Sequence, residues 1–92
     1  MHYVLAYDVV STRRRGRFHR RLKAFLVPVQ RSVFEGPLTP SALGEIERLI
    51  TTHLDMEQDA VRLYALDRVS LGLTRSWGVQ ANVDDPDAPM LF

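Results

Sequence analysis

His2-Tyr3-Val4-Leu5-Ala6-Tyr7-Asp8-Val9-Val10 is an apolar run with a single acid near its end. Valine, leucine and tyrosine are strand formers, so the run reads as a central β-strand. A carboxylate at the end of such a strand is costly to bury and is normally paired, solvated or bound to a cation. The next residues are Ser11-Thr12-Arg13-Arg14-Arg15-Gly16-Arg17, the most basic stretch of the chain. An acid beside a block of arginines is the arrangement from which the functional reading starts. The bland alternative is that Asp8 simply pairs with one of those arginines.

With 92 residues the chain is expected to form one domain with one modest core, so association with a second copy is a ready source of further burial. The absence of cysteine excludes a disulfide framework and a cysteine-based zinc site, and fits a reducing compartment. Apolar runs fall well short of the roughly 20 residues that span a bilayer. No secretory leader pattern opens the chain, and a cytoplasmic protein with no membrane partner is expected. Net charge is +1, but it is unevenly placed. Residues 1–31 carry eight basic residues against Asp8, a balance of +7, and residues 32–92 carry four against ten acids, a balance of −6. Such a split points to an anionic partner for the first part, nucleic acid being the commonest; the competing reading is a solvated basic helix that pairs with the acidic remainder.

Beyond the first strand, Ser11 or Thr12 can cap a helix running to about Leu26, with Phe18, Leu22 and Phe25 on one apolar face. Arg13, Arg17, Arg20 and Arg21 lie mostly off that face, placed for bidentate phosphate contacts. His19 reads as a surface helix residue, and Val27-Pro28 as the helix breaker. Val29–Gly36 reads as extended, but neither of its faces is cleanly apolar, which leaves open a bulge, a bend into a second short strand, or a strand contacted on both sides. Thr39 as N-cap and Pro40 at the first helical position open a second helix with Leu43, Ile46, Leu49 and Ile50 inward, ending near His53-Leu54. Asp59–Leu66 alternates as a further strand, and weak extended signals follow around Leu73 and Trp77–Val79. Residues 1–80 are thus expected to form the domain, and residues 81–92 an acidic, proline-containing tail that docks on this chain or on a partner. The element order gives a βαββαβ, ferredoxin-like α+β sandwich with two helices on one face of an antiparallel sheet. Apolar content on both sides of the strands suggests that the other face is covered too, as a second copy would do.

V-L-A-Y-D-V at Val4–Val9, the arginine-rich helix, V-Q-R-S-V-F-E-G at Val29–Gly36, L-T-P-S at Leu38–Ser41 and D-A-V-R-L-Y-A-L at Asp59–Leu66 together resemble the CRISPR-associated protein two (Cas-two) family. The resemblance covers residues 2–66 in order and spacing. It implies a ferredoxin-like homodimer with facing sheets and C-terminal segments that add strands to the neighbour. It also implies metal-dependent nucleic-acid cleavage and the bridging of CRISPR integrase dimers during spacer acquisition. By position, the acidic metal residue falls on Asp8, preceded by Tyr7; the basic residues fall on Arg15 and Arg17, and the aromatic on Phe34. Pro28 stands where some members carry a basic residue.

Two readings of different classes follow. In one, Asp8 of both subunits holds Mg²⁺ (or Mn²⁺) and the protein is a metal-dependent endonuclease hydrolysing phosphodiesters, with Asp8 as both catalytic and metal-ligating residue and Tyr7 and Phe34 supporting it. In the other, the protein is a dimeric scaffold that grips double-stranded DNA by its backbone through Arg13, Arg14, Arg15, Arg17, Arg20, Arg21 and Arg31, working with the CRISPR integrase. Single-stranded RNA is the substrate of a third variant, a toxin-type small endoribonuclease. There is no P-loop, G-x-G-x-x-G or G-x-S-x-G to support other chemistry.

Overall fold

The computed structural model describes residues 1–75 and Trp77. The order of elements is β1 (His2–Asp8), α1 (Thr12–Leu22), β2 (Val27–Gln30), β3 (Val33–Pro37), α2 (Pro40–His53), β4 (Ala60–Leu66) and a short α3 (Arg68–Gly72). The four strands form one sheet in the order β2-β3-β1-β4, with every neighbour antiparallel. This is the expected ferredoxin-like βαββαβ sandwich, with β1 at the centre.

Strand alternation sorts β1 by face. Leu5, Tyr7 and Val9 are buried beneath the helices together with Phe18, Leu22, Leu26, Phe34, Leu38, Ile46 and Leu54. Leu5, Phe18, Leu22, Phe34 and Ile46 are fully enclosed, each contributing roughly 1.5–3 kcal/mol relative to exposure. The alternate residues of β1, ending in Asp8, face the other way, away from the core beneath α1 and α2.

Several boundaries differ from the sequence expectation. β1 stops at Asp8, because Val9 turns into the core and Val10 out to solvent. α1 stops at Leu22 rather than about Leu26; Phe25 and Leu26 both donate to the Leu22 carbonyl, a tightened turn that lets the chain reverse into the sheet. Val27-Pro28 does not merely end the helix but begins β2, where proline is tolerated because β2 is an edge strand. Val29–Gly36 proves to be parts of two strands. A register shift between Pro28 and Gln30 and a left-handed Ser32 (φ 62°) at the turn explain why neither face alternated cleanly. Gly36 (φ 156°) lets β3 pass close under Leu26, whose Cδ2 would stand 3.3 Å from an added Cβ.

Thr39 and Pro40 open α2 as expected, Thr39 Oγ1 accepting from the Ala42 amide. Of its inward stripe Ile46 is buried, and Leu43, Leu49 and Ile50 pack on the core part-exposed. Leu73 is not extended: it caps α3, a helix opened by Asp67, whose carboxylate accepts from the Ser70 amide. The expected strand piece at Trp77–Val79 and the tail of residues 81–92 lie outside the described residues, apart from Trp77, which is exposed. Among the described residues no helix is long and apolar enough to cross a membrane.

Candidate functional site

The end of β1, the start of α1, the β2–β3 turn and the start of β4 all converge at one end of the sheet. Ser11 caps α1 by accepting from the Arg14 amide at 3.2 Å, which sets the helix running directly from the strand end. The first turn of α1 carries no acid, and Arg13, Arg14 and Arg15 stand at the positive end of the helix dipole. This is the unfavourable end for cations. Tertiary contacts hold two of them there. Arg14 donates from Nε and Nη2 to the two oxygens of Asp59, at 2.9 and 3.1 Å. Arg15 donates from Nη1 to the Val9 carbonyl at 2.9 Å and from Nη2 to Thr12 Oγ1 at 3.1 Å.

Asp59 was read in sequence only as the first residue of a strand. Its carboxylate side chain is fully enclosed and also accepts from the amides of Val10 (3.0 Å) and Asp55 (2.9 Å), so it ties the β1–α1 connection to the α2–β4 connection. The Arg14 guanidinium, reinforced by those two amides and opposed by burial, holds its carboxyl well below the usual carboxylate range. The same partnership pushes the Arg14 pKa up. The clue in sequence was an acid just ahead of a strand, but its partners lie 45 and 49 residues away along the chain.

Asp8 is exposed on the open sheet face. Its carboxylate accepts no hydrogen bond and forms no ion pair with any described residue, so the bland reading of Asp8 as an arginine's partner belongs instead to Asp59. It borders a shallow depression of about 220 Å³ lined by Ala6, Tyr7, Asp8, Ala60, Val61 and Arg62.

Tyr7, next to Asp8 in sequence, points to the opposite side. Its ring packs edge-on against Phe18 (5.4 Å between centroids) and tilted against Phe34 (6.2 Å), and its hydroxyl lies 3.2 Å from His19 Nδ1. Burial pushes the Tyr7 phenol up, partly opposed by a hydrogen bond with Ser32 and by Arg15, so it is a neutral donor rather than a base. Tyr7 and Phe34 are therefore brought together in the core, supporting the strand end without facing Asp8. His19 is not the plain surface residue its neighbours suggested: it is half-buried, with its ring 4.9 Å from that of Phe34. Burial, then Lys23 and Arg20, lower its pKa, which keeps the neutral ring available to accept from Tyr7.

A depressed histidine pKa means that protonation favours the unfolded chain. The stability owed to neutral His19 is complete above about pH 6.5 and is lost as pH falls through the folded-state value. His53 shifts in the same direction, through burial and then Arg21 and Arg17. In a His53→Gln background, melting temperatures measured between pH 7.5 and 5 should fall less steeply for His19→Asn than for the protein retaining His19. Parallel curves would show that His19 is not coupled to folding.

Of the remaining expected residues, Arg13, Arg20, Arg21 and Arg31 are exposed and Arg17 is half-exposed; none is engaged by an acid among the described residues. Arg31 sits at the β2–β3 turn, whose Ser32 carbonyl accepts from the Tyr7 amide at 3.0 Å, so it is fixed near the end of β1. No cluster of three or more His, Cys, Asp or Glu side chains able to hold a metal occurs among the described residues. Asp8 is thus a lone oxygen donor. That suits a hard cation which keeps its waters and takes further ligands from phosphate or from a second copy, and it does not suit a closed protein cage.

Together these features define a small ferredoxin-like sandwich presenting an uncommitted strand-end carboxylate beside an arginine-rich helix start. The family model for CRISPR associated protein Cas2 matches residues 1–72. The chain belongs to that family. It is 34% identical over 86 residues to the CRISPR-associated endoribonuclease Cas2 3 of Chloroflexus aurantiacus, covering 94% of this chain and 92% of the relative. Among solved structures, a hypothetical protein from Thermus thermophilus superposes with a TM-score of 0.77 at 34% identity, over 86% of this chain and 92% of the other. Cas2 of Streptococcus pyogenes superposes with a TM-score of 0.75 at 25% identity, over 85% and 100%.

Proposed function

We propose that this protein is a homodimeric, metal-dependent endonuclease that hydrolyses phosphodiesters, with Asp8 of each subunit as the residue holding Mg²⁺ or Mn²⁺. The observation that carries the reading is the Asp8 carboxylate itself: exposed, without a partner among the described residues, and at the end of the central strand from which the chain runs into the arginine-rich start of α1. The relative from Chloroflexus aurantiacus bears the name endoribonuclease, which favours single-stranded RNA as the first substrate to test. When bound, the cation would supply an activated water and charge neutralisation at the phosphate. Two Asp8 carboxylates brought close in a homodimer would repel each other, and the positive charge of a cation would offset that repulsion. Arg31, exposed at the β2–β3 turn, is the arginine we assign to stabilising the negative charge that grows on the phosphoryl oxygens. Tyr7, locked between Phe18, Phe34 and His19, keeps the strand end rigid. The test is incubation of labelled single-stranded RNA and double-stranded DNA with Mg²⁺, Mn²⁺ or EDTA; cleavage is expected only with metal, and cleavage undiminished in EDTA would overturn the reading.

A specific observation favours a second activity. α1 lies on the face of the sheet opposite Asp8, so Arg17, Arg20 and Arg21 do not border the carboxylate. Uncommitted arginines on a helix surface suit sequence-independent contact with duplex phosphates. This is the equipment of a scaffold that holds double-stranded DNA with the CRISPR integrase during spacer acquisition. Replacing Arg17 and Arg21 with glutamate should weaken duplex binding about tenfold or more and flatten the plot of log affinity against log salt. Binding insensitive to salt, or to both reversals, would count against the scaffold.

A further inference from the structure

Arg17 and Arg21 stand about one turn apart on α1, a spacing that sets two side chains on one face. Like charges so placed repel, and neither guanidinium forms an ion pair or hydrogen bond with a described residue. α1 packs against α2, and the last residue of α2, His53, comes alongside the same two arginines. Burial, then Arg21 and Arg17, lower its pKa. Its ring is half-exposed and likewise makes no hydrogen bond or ion pair with a described residue. On α2 itself the residues three and four positions earlier are Ile50 and Leu49, so no charge of its own helix faces it. In the connection that follows, Asp59 is taken by Arg14, and Asp55 accepts from the Glu57 amide and from Gln58 Nε2. Glu57 is exposed and forms no ion pair with a described residue. Three donors from two helices thus share one seam without an acceptor.

From this cluster we infer that Arg17, Arg21 and His53 form a single phosphate-binding site across the seam between α1 and α2, His53 joining as an imidazolium when a duplex phosphate arrives, so that DNA binding takes up a proton. The inference rests on the duplex scaffold reading and adds to it a third phosphate ligand and a dependence on pH. In the free protein the two guanidiniums disfavour a proton on the ring. A phosphate between them reverses the sign of the local charge, and the carboxyl end of α2 already favours a cation. Guanidiniums offer phosphate a planar fork, and the imidazolium adds a charged N–H donor. The competing role for His53 is a neutral ring that only fills the seam.

The experiment measures binding of a labelled double-stranded DNA by fluorescence anisotropy, in EDTA and over a range of salt, at pH 8 and pH 6, for the wild type, His53→Gln and His53→Lys. The wild type is expected to bind about fivefold more tightly at pH 6 than at pH 8, its salt slope steepening by about one. His53→Gln should lose most of that gain and the steepening with it. His53→Lys, charged at both pH values, should bind at pH 8 with the slope that the wild type reaches only at pH 6. It reads a gain rather than a loss, so it decides the matter even where His53→Gln melts below the assay temperature. A wild type that binds equally at both pH values, an undiminished gain in His53→Gln, or a His53→Lys slope at pH 8 no steeper than that of the wild type would overturn the inference alone. A wild type that binds no duplex at either pH would overturn the scaffold reading and this inference with it.

Discussion

Asp8→Ala is expected to lower metal-dependent cleavage by about 10³-fold or more while leaving the fold and the affinity for nucleic acid in EDTA unchanged or slightly improved. The separation of effects follows from how Asp8 is held. Its carboxylate is exposed and has no partner among the described residues, so truncation strands no donor and opens no cavity. Surface changes of this kind usually alter stability by less than about 0.5 kcal/mol. Removing a negative charge beside bound phosphate cannot weaken binding electrostatically. Asp8→Asn keeps the shape without the charge and should be nearly as inactive. Circular dichroism melts, RNA binding in EDTA and a cleavage time course with Mg²⁺ check the three parts on one preparation. Metal-dependent cutting that survives in purified Asp8→Ala would remove Asp8 from the chemistry and leave the duplex scaffold as the better account.

Asp59→Ala should do the reverse, collapsing stability rather than chemistry, with a melting temperature lower by roughly 10 °C or more. The enclosed carboxylate satisfies four donors from three segments: the amides of Val10 and Asp55, and Nε and Nη2 of Arg14. Truncation leaves all four without their acceptor at a site where the side chain had no contact with water. Arg14→Ala should be damaging as well, since it leaves the carboxylate enclosed without a cation. The acid limb of the stability curve carries the same signature. Because folding depresses the Asp59 pKa, its contribution is complete above about pH 4 and drains away as pH falls below that. Melts from pH 7 to 3 should therefore show a shallower acid decline for Asp59→Ala than for the wild type. An unchanged melting temperature would mean that the connection at Val9–Ser11 is held by something else.

The central strand, the carboxylate at its end, the Thr39-Pro40 helix start and the final strand were legible because each rests on local pattern: alternation, a cap, a proline at a permitted place. The hairpin was legible only as one of several open alternatives, since its bulge and left-handed turn break period-two alternation at the point where the chain reverses. In the site, sequence ranked arginines by clustering alone, and seven of them looked alike. Structure divides them. Arg14 and Arg15 are committed to holding the start of α1, whereas Arg13, Arg17, Arg20, Arg21 and Arg31 remain available. The roles of His19, read as a surface residue, and Asp59, read as the start of a strand, were missed because their partners are 12 and about 50 residues distant, beyond any motif. Arg62 drew no comment within the Asp59–Leu66 strand, whereas strand register sets it opposite Ala6, on the same sheet face as Asp8. The short helix after β4 did carry a readable sign in Asp67, three residues ahead of Ser70.

The β2–β3 turn has a thermodynamic consequence. A cation on a loose loop surrenders backbone and side-chain freedom each time it closes on a ligand, at a cost of about 1–2 kcal/mol for every backbone residue ordered. Arg31 precedes Ser32, whose left-handed backbone (φ 62°) is clamped by the Tyr7 amide, and Tyr7 is itself wedged among three rings. Most of that ordering has therefore already occurred during folding. Association at this end of the sheet should draw chiefly on desolvation and ion release, giving a small entropic penalty from the protein and nearly superimposable free and bound backbones.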